Sequence, residues 1–217
     1  MTEKADRTVA GAAADDERRA WDRRYRERDR IWTGHPNTPL IDEVEPIVTP
    51  GSALDVGCGE GADAVWLARN GWLVTAVDLS PVAVERALSH AETAGVAQHV
   101  TFTDEDLETV VGSRGPWNLV TSMYTHPAQG GRWLVETLAP AVAPGGMLLV
   151  VAHHPTDPHA AEHPSLLAKT FAAEDVAGAL DRSVWEVSAT LRERTTREPN
   201  GRERLWRDSV LVARRHG

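Results

Sequence analysis

The sequence predicts an α/β fold in which helices cover both faces of a doubly wound, largely parallel sheet. A short apolar run over residues 53–56 breaks into glycines spaced two apart, at Gly57, Gly59 and Gly61, and a helical pattern follows at once. A second apolar run ends in an acid, Asp78, about 20 residues after the first glycine. The chain has 217 residues, of which 41% are hydrophobic, so one domain with an ample core is expected.

Charge and composition narrow the function classes. Lys and Arg total 23 against 32 Asp and Glu, so the net charge of −9 gives no general attraction to nucleic acid. No apolar run approaches the length of a membrane span, and no signal peptide is recognised. The single cysteine, Cys58, excludes an intrachain disulfide and fits a reducing compartment. We therefore expect a cytoplasmic protein without nucleic-acid or membrane partners, and its oligomeric state stays open.

The N-terminal segment combines many charges with large aromatic side chains. Residues 1–18 are predicted to be disordered at first, because they are small and charged. Residues 15–30 form a predicted helix with Trp21 and Tyr25 four residues apart on one face, and a loop follows over residues 31–37. The aromatic rings either cover a ligand or simply pack, as most tryptophans of a small domain must.

A second helix is predicted to begin with Thr38 as its N-cap and Pro39 in its first turn. Its apolar residues recur at helical spacing, which indicates one buried stripe. This stripe comprises Leu40, Ile41, Val44 and Ile47. Residues 49–51 then turn into the first strand.

The glycine-rich turn links that strand to a helix over residues 62–69, which Asn70 and Gly71 close. Glycine has no Cβ, so the turn can adopt positive φ and a ligand can approach the bare backbone. The following helix also directs unpaired N–H groups at that ligand. The second strand, residues 71–78, ends at Asp78, where a doubly wound fold holds a ribose by its two hydroxyls. Together the two parts predict a site for a nucleoside-bearing cofactor.

The glycine spacing distinguishes between cofactors. Dinucleotide enzymes use G-x-G-x-x-G, which would require a glycine where this chain has Ala62. Here the pattern is G-x-G-x-G, and Asp55 precedes it by two residues. Acids at Asp55 and Asp78 suit a cofactor that carries a ribose and cationic groups better than they suit a pyrophosphate. A nicotinamide dehydrogenase is the weaker alternative, as is a turn that only packs a helix on a sheet.

The remaining elements continue the alternation of helix and strand. Ser80 caps a helix that ends at Gly95. The later predictions are strands over residues 99–102, 117–122 and 147–152, a helix over 131–143, a helix from 170 to about 180, and strands over 185–195 and 205–213 joined at Asn200-Gly201. The arginines of this last hairpin are interpreted as protection of an exposed strand edge.

The pattern D-x-G-x-G-x-G followed by a strand ending in Val77-Asp78 resembles the class I S-adenosylmethionine-dependent methyltransferases. The N-terminal Trp and Tyr and the W-x-G-x-P-N segment starting at Trp32 resemble the tellurite-resistance and thiopurine methyltransferase-like subgroup, which acts on small molecules. This resemblance implies a Rossmann-like, doubly wound, seven-stranded mixed sheet with a terminal antiparallel hairpin. It also implies that the N-terminal segment lies over the cofactor.

The resemblance implies the cofactor-binding residues as well. In that family an acid and an apolar residue after the third strand meet the adenine, and Asp106-Leu107 match better than Asp104. The full implied set is Tyr25, Trp32, Asp55, Gly57, Cys58, Gly59, Asp78, Leu79, Asp106, Leu107 and Met123. Two departures from the family are His35, where an arginine is usual, and Asn118, where an aspartate is usual.

Histidines concentrate near the predicted carboxyl edge of the sheet, at His126 and within residues 153–163. A metal site, a substrate loop with one catalytic histidine and an incidental solvated loop all remain open, but the spacing favours no metal. Methyl transfer needs a general base only when the nucleophile arrives protonated. The candidates are His126 and His154, with Tyr124 orienting the substrate, whereas a thiolate acceptor would need neither histidine.

The predicted function is methyl transfer from S-adenosylmethionine to a small molecule, and the alternative is a non-catalytic S-adenosylmethionine-binding module. One domain is predicted over residues 1–217. It divides into a lid helix and loop (1–37), a cofactor-binding core (38–152), a substrate-side loop (153–170), and a C-terminal helix and β-hairpin (171–217).

Overall fold

The computed structural model describes residues 15–47, 49–197 and 201–217, and in them seven strands form one sheet in the order β3-β2-β1-β4-β5-β7-β6. The strands are β1 (Ser52–Val56), β2 (Leu73–Val77), β3 (Val100–Thr103), β4 (Trp117–Met123), β5 (Val142–His153), β6 (Trp185–Arg197) and β7 (Glu203–Arg215). The first five run parallel, and β7 lies antiparallel between β5 and β6. The predicted seven-stranded mixed sheet with its terminal antiparallel hairpin is confirmed.

Helices follow most of the strands and cover both faces. They are α1 (residues 15–26), α2 (Thr38–Val44), α3 (Ala62–Arg69), α4 (Pro81–Thr93), α5 (Leu107–Ser113), α6 (Gly130–Leu138), α7 (Pro158–Ala161), α8 (Pro164–Leu167) and α9 (Ala173–Ala177). Short one-turn 3-10 helices precede β3 and β5.

Each face of the sheet carries its own hydrophobic core, because successive side chains of a strand point to opposite faces. On β4, Leu119 joins the core that includes Leu67 of α3, and its neighbour Val120 joins the core that includes Leu138 of α6. All four of these side chains are at most 2% exposed. The continuous apolar runs of the parallel strands are therefore buried on both sides, as expected for a doubly wound sheet.

Several predicted boundaries are wrong, and the structure supplies the reasons. Helix α1 ends at residue 26 rather than 30, because the backbone N–H groups of Ile31 and Trp32 are drawn to the Glu60 carboxylate. The N-cap of α2 is Asn37 rather than Thr38, so the helix begins one residue earlier. Asn37 is held in place by Asp63 and makes no side-chain cap bond.

The second half of the chain shows three further differences. Helix α5 was not predicted, because its short sequence carries a glycine and follows an acidic run. Helix α6 ends at Leu138 rather than 143, since Pro140 cannot continue the ladder and Val142 pairs with Trp117 in the sheet. The predicted substrate-side loop contains the short helices α7 and α8. Of the residues 1–18 predicted to be disordered, residues 15–18 lie in α1, and residues 1–14 lie outside the described residues, as does the Pro199-Asn200 part of the hairpin turn.

Among the residues that the structure describes, no helix combines the length and the apolar character needed to cross a bilayer.

Candidate active site

The glycine-rich turn lies at the carboxyl end of β1 and is crowded on its open side. Gly57, Gly59 and Gly61 have φ values of +70°, +53° and +83°, which only glycine adopts without strain. A Cβ on Gly57 would lie 1.9 Å from Cγ2 of Thr125. A Cβ on Gly59 would lie 3.0 Å from Nε1 of Trp32. The turn therefore needs glycine both for its backbone conformation and for the close approach of its neighbours.

Asp78 follows β2 and is fixed by the turn itself. Its Oδ2 accepts a hydrogen bond from the Gly59 N–H at 2.8 Å, and its Oδ1 accepts one from the Ser80 N–H at 2.9 Å. Burial raises the pKa of Asp78, and these two backbone donors partly offset that effect. Each carboxylate oxygen keeps further acceptor capacity, which suits the paired hydroxyls of a ribose.

Asp55 on β1 is a buried carboxylate with only one oxygen satisfied. Its side chain is 1% exposed, and Oδ1 accepts from the Thr121 hydroxyl at 3.1 Å. Oδ2 has no hydrogen-bond partner among the described residues. Burial raises the pKa of Asp55, and the nearby Asp63 carboxylate raises it further. An acceptor of this kind fits a cationic group such as an ammonium.

Tyr25 and Trp32 lie directly over the turn, next to Gly59. Trp32 Nε1 donates to the Tyr25 hydroxyl at 3.0 Å, and the Trp21 ring packs against both, with centroids 6.1 and 6.4 Å away. Tyr25 is 2% exposed, whereas Trp32 is 43% exposed. Burial raises the pKa of Tyr25, so its hydroxyl stays protonated at neutral pH. These rings lie against the glycine turn, and we call the region around the turn and Asp78 the cofactor cleft.

Two acids that anchor the segment next to the glycine turn were not identified from the sequence. Glu60, inside the turn, accepts from the N–H groups of Ile31 and Trp32 at 3.2 and 3.1 Å and pairs with Arg86 at 3.0 Å. Asp63 on α3 accepts from the backbone and side chain of Asn37, both at 2.7 Å. The sequence did offer two indications of these roles. One acid lies inside the glycine turn, and the other lies on the buried side of a helix that is otherwise apolar there.

The remaining implied cofactor residues differ in exposure. Asp106 is the exposed N-cap of α5, and its Oδ1 lies 3.3 Å from Arg18 of α1, which also contacts Asp104. Leu107 and Leu79 are half-buried. Cys58 and Met123 are buried, and burial raises the pKa of the Cys58 thiol, so it packs as a protonated side chain.

A second group of side chains lies where β4 and β5 end, and we call it the aromatic cluster: Tyr124, His126, His153, His159 and Trp206. His153 is at its centre, with ring centroids 5.0 Å from Tyr124, 5.8 Å from His126 and 5.9 Å from both His159 and Trp206. Tyr124 adopts φ +53°, an uncommon value for a non-glycine residue that often marks a functional site. Flat rings therefore pack around His153.

The structure separates the two histidines that were proposed as bases. His126 belongs to the aromatic cluster, and its Nδ1 is buried without a partner among the described residues. Burial lowers the pKa of His126 to about 4, and the charges of His153, Lys169 and Arg24 contribute. His154 instead accepts a hydrogen bond at Nδ1 from the Thr156 N–H and lies within hydrogen-bond distance of its hydroxyl. Its backbone follows His153 at the strand end, so its side chain points the other way.

Asp208 and Arg194 close the cluster from the hairpin. Asp208 pairs with His153 in the β5–β7 register and is 1% exposed. Its Oδ2 accepts from Arg194 Nε at 2.7 Å, whereas Oδ1 has no partner within the described part of the chain. Arg194 also donates to the Tyr124 hydroxyl at 3.3 Å. At this position the guanidinium contacts the aromatic cluster, and the edge-protection interpretation of the hairpin arginines stays a prediction.

One histidine-rich group at the end of α7 and in the turn after it has ligand-like spacing. His159, Glu162 and His163 each place one potential ligand atom within 4.8 Å of the others. However, Arg204 donates to Nδ1 of His159 at 2.9 Å and lies 3.7 Å from Glu162. A guanidinium beside the same atoms disfavours a bound cation, so the expectation of no metal stands as a prediction.

Comparison with known proteins agrees with this geometry. Residues 53–146 match a family model described as a methyltransferase domain. The 2-heptyl-1-hydroxyquinolin-4(1H)-one methyltransferase of Mycobacteroides abscessus is 28% identical over 159 residues, which are 67% of this chain and 70% of the relative. A ubiquinone biosynthesis O-methyltransferase of Methylobacterium sp. (strain 4-46) is 35% identical over 122 residues, or 55% of this chain and 47% of the relative. The match thus spans about half the length of the second relative.

A solved structure shows the same architecture over nearly the whole chain. It comes from a study of the conversion of a disulfide bond into a thioacetal group during echinomycin biosynthesis. It has a TM-score of 0.72 and 20% sequence identity, and the match covers 92% of this chain and 91% of that one. At this identity the likeness shows the fold, in agreement with the strand order described above.

Proposed function

We propose that the protein transfers a methyl group from S-adenosylmethionine to an oxygen of a small molecule, since residues 53–146 match a methyltransferase domain. The observation that carries this proposal is the bare glycine turn between the buried carboxylate of Asp55 and the half-buried carboxylate of Asp78. Asp78 is held by Gly59 at one side, and Asp55 presents an unpartnered oxygen at the other. These two hydrogen-bond acceptors fit a ligand with a ribose at one end and an ammonium at the other.

Each part of the cleft has a role in this proposal. Asp78 accepts from the ribose hydroxyls, and Asp55 Oδ2 accepts from the ammonium. The bare backbone of the glycine turn lets the ligand approach closely. Tyr25 and Trp32 cover the reactive end, and Leu79, Asp106 and Leu107 line the adenine side. Cys58 and Met123 pack beneath the ligand. These assignments follow the family resemblance and are proposals for this chain.

S-adenosylmethionine, when bound, supplies a methyl group on a cationic sulfur that departs as a neutral thioether. The protein's main contribution is therefore alignment, which can be worth about 7–11 kcal/mol of the barrier. The aromatic cluster is well placed for this task, because Thr125 of the segment after β4 rests against Gly57. Tyr124 orients the acceptor, and the pKa of His126, lowered to about 4, keeps its ring neutral at pH 7.

The acceptor class is inferred from the relatives and from the walls of the site. One relative is named for a hydroxyquinolinone and another as an O-methyltransferase. The aromatic cluster offers flat walls and polar groups that suit a hydroxylated ring. The narrower resemblance to the tellurite-resistance and thiopurine subgroup stays a prediction, as do the cytoplasmic location and the lack of nucleic-acid or membrane partners.

Calorimetry with S-adenosylhomocysteine and NADH tests the cofactor, and turnover of a panel of phenols, thiols and amines tests the activity. We expect S-adenosylhomocysteine to bind, NADH not to bind, and S-adenosylhomocysteine to form from S-adenosylmethionine with at least one hydroxylated aromatic acceptor. Binding without turnover on any acceptor or cell extract would instead support the non-catalytic binding module. Binding of NADH alone would contradict the cofactor assignment.

A further inference from the structure

We propose that His153, held by Asp157, is the general base of this site and that the acceptor is a planar aromatic molecule whose hydroxyl must lose its proton. The inference rests on the proposed methyl transfer and adds the base and the acceptor class. Neither residue was among the candidates that the sequence suggested.

The His153–Asp157 pair has the geometry of an oriented base. Nδ1 of His153 lies 2.7 Å from Oδ2 of Asp157, and Asp157 is fully buried. The other oxygen, Oδ1, accepts from the His159 N–H at 3.0 Å, so the carboxylate cannot rotate freely. A carboxylate only accepts hydrogen bonds, so it assigns the proton of the neutral ring to Nδ1. Nε2 is then left with a lone pair for an incoming proton.

The other histidines near the site lack this arrangement. His126 has no partner at its buried Nδ1, and burial lowers its pKa to about 4, which makes it a weak base. His159 already accepts from Arg204 at Nδ1, and burial and His163 lower its pKa. His154 bonds to Thr156 outside the cluster. Within the described residues, His153 alone places its ring both in the cluster and against a buried carboxylate.

The surroundings of His153 indicate the shape of the acceptor. Its side chain is 11% exposed and is surrounded by the rings of Tyr124, His126, His159 and Trp206. The charged groups around these rings include Asp157, Asp208, Arg194, Arg204 and Lys169. Offset stacking on such rings favours a flat aromatic acceptor. Asp208 Oδ1, which lacks a partner among the described residues, can accept from a second polar hydrogen on it.

The segment after β4 connects this base to the cofactor cleft. Ser122 and Thr125 are hydrogen-bonded to each other, and Thr125 rests on Gly57. His126 follows directly and stacks on His153 with an interplanar angle of 17°. The base is therefore one ring away from the segment that touches the glycine turn.

The proposed step balances without any further reagent. The proton of the acceptor hydroxyl moves to Nε2 of His153 as the acceptor oxygen forms a bond to the methyl carbon. The methyl–sulfur bond breaks, and its electron pair stays on sulfur, which becomes neutral. The imidazolium then releases its proton to solvent.

Three variants test the proposal in the full chain: His153→Gln, Asp157→Asn and, as a control, His99→Gln at an exposed position outside the site. With phenols that are protonated at the assay pH, we expect His153→Gln to lower kcat about 100- to 10,000-fold, the usual contribution of general base catalysis. With thiols or acidic phenols that are already ionised, the loss should be small. The control should retain both activities, and S-adenosylhomocysteine affinity should stay unchanged in all three. Asp157→Asn should lose activity in the same acceptor-dependent way.

Equal losses on protonated and ionised acceptors would show that His153 only shapes the pocket, and full activity of His153→Gln would overturn the proposal. Because Asp157→Asn could unfold, the ring tautomer of His153 in the unmodified chain is measured as well, by ¹H–¹⁵N correlation NMR. The proposal requires the Nδ1–H form, and an Nε2–H form would overturn it whatever the activity. An Nδ1–H tautomer with no turnover on any acceptor would place the failure in the proposed function rather than in the geometry of the base.

Discussion

Gly59 donates its backbone N–H to Oδ2 of Asp78 at 2.8 Å, so the glycine turn and the acid that follows the second strand form one hydrogen-bonded unit. The two features that the sequence suggested as separate parts of a cofactor site are therefore coupled. A change in either one is expected to move the other. The first two predictions test the two sides of this bond.

Replacing Asp78 with alanine should weaken S-adenosylhomocysteine binding. Hydrogen bonds to a charged group are worth about 1.5–3 kcal/mol, so the affinity should fall about 10- to 150-fold. Calorimetry measures this directly. Glu136→Ala, a change at an exposed position on α6, serves as the control and should bind normally. An unchanged affinity in the Asp78 variant would remove Asp78 from the ribose site.

Replacing Gly59 with alanine should abolish cofactor binding. The new alanine would have to adopt φ +53°, and its Cβ would lie 3.0 Å from Trp32 Nε1 and 3.1 Å from the Tyr25 hydroxyl. Gly95→Ala is a matched control, because Gly95 has φ +72° but no neighbour within 4 Å of the added Cβ. Both variants should lose about 1–2 kcal/mol of stability from the left-handed backbone. Only the Gly59 variant should fail to bind S-adenosylhomocysteine in calorimetry, and equal binding by both would show that the turn is merely structural.

Asp55 should lower the stability of the free protein at neutral pH. Burial raises its folded-state pKa, so the folded protein binds the proton of Asp55 more tightly than the unfolded chain does. The stability that depends on this proton is fully present below the unfolded pKa of about 3.9 and is lost as pH rises through the folded pKa. Asp55→Asn should therefore reduce the decline of unfolding free energy with rising pH, measured by urea unfolding at several pH values. The same variant should bind S-adenosylhomocysteine at least about 10-fold more weakly, because a charged acceptor is lost. A variant with the same pH slope and the same affinity would contradict both roles.

His126 should affect the pH dependence of stability in the opposite direction to Asp55, over an overlapping range of pH. Its folded-state pKa of about 4 lies below the ordinary 6.5, so its contribution is present above 6.5 and is lost as pH falls toward 4. The full effect is about 3 kcal/mol at 1.36 kcal/mol per pKa unit. His126→Gln should flatten urea-derived stability between pH 6.5 and 4, whereas the surface variant His99→Gln should leave the slope unchanged. An unaltered slope in His126→Gln would show that the ring is not neutral and buried in solution.

Glu60 should control the order of the segment over the cofactor cleft. Its carboxylate is 4% exposed and receives the N–H groups of Ile31 and Trp32 as well as Arg86. Glu60→Gln should weaken these charge-assisted bonds and speed amide hydrogen exchange at residues 31 and 32. Bound S-adenosylhomocysteine should slow exchange over residues 15–37 in the unmodified chain, if Tyr25 and Trp32 form a lid. Identical exchange with and without ligand would mean that the segment is docked permanently.

The features that depend on local pattern were predictable from the sequence. The glycine turn, the strand before it, α3 and the acid at Asp78 lie where their spacing placed them, because chirality and periodicity act over a few residues. The Ser80 cap of α4 is also confirmed, since its hydroxyl accepts from the Ala83 N–H at 3.3 Å. Each of these elements can therefore be predicted from the residues within it.

The features that depend on distant contacts were not predictable. Glu60 and Asp63 read as ordinary polar positions until residues 31–37 are folded back on them. Likewise, nothing local distinguishes His153 from His154. The choice depends on which side chain faces Asp157 and the hairpin, and that follows from the register of β5 with β7. A one-residue shift of this register would exchange the two rings.

Helix α1 is tied to both halves of the site. Arg18 contacts Asp104 and Asp106 on the adenine side, while Glu17 pairs at 3.0 Å with Lys169, whose Nζ also donates to the His126 carbonyl at 2.9 Å. Helix α1 would therefore control the access of both ligands, and the contacts that hold it in place are ion pairs between partly exposed groups. Salt screens such pairs. The order and the rate of entry and release of the two ligands should therefore depend on ionic strength as well as on the shape of the site.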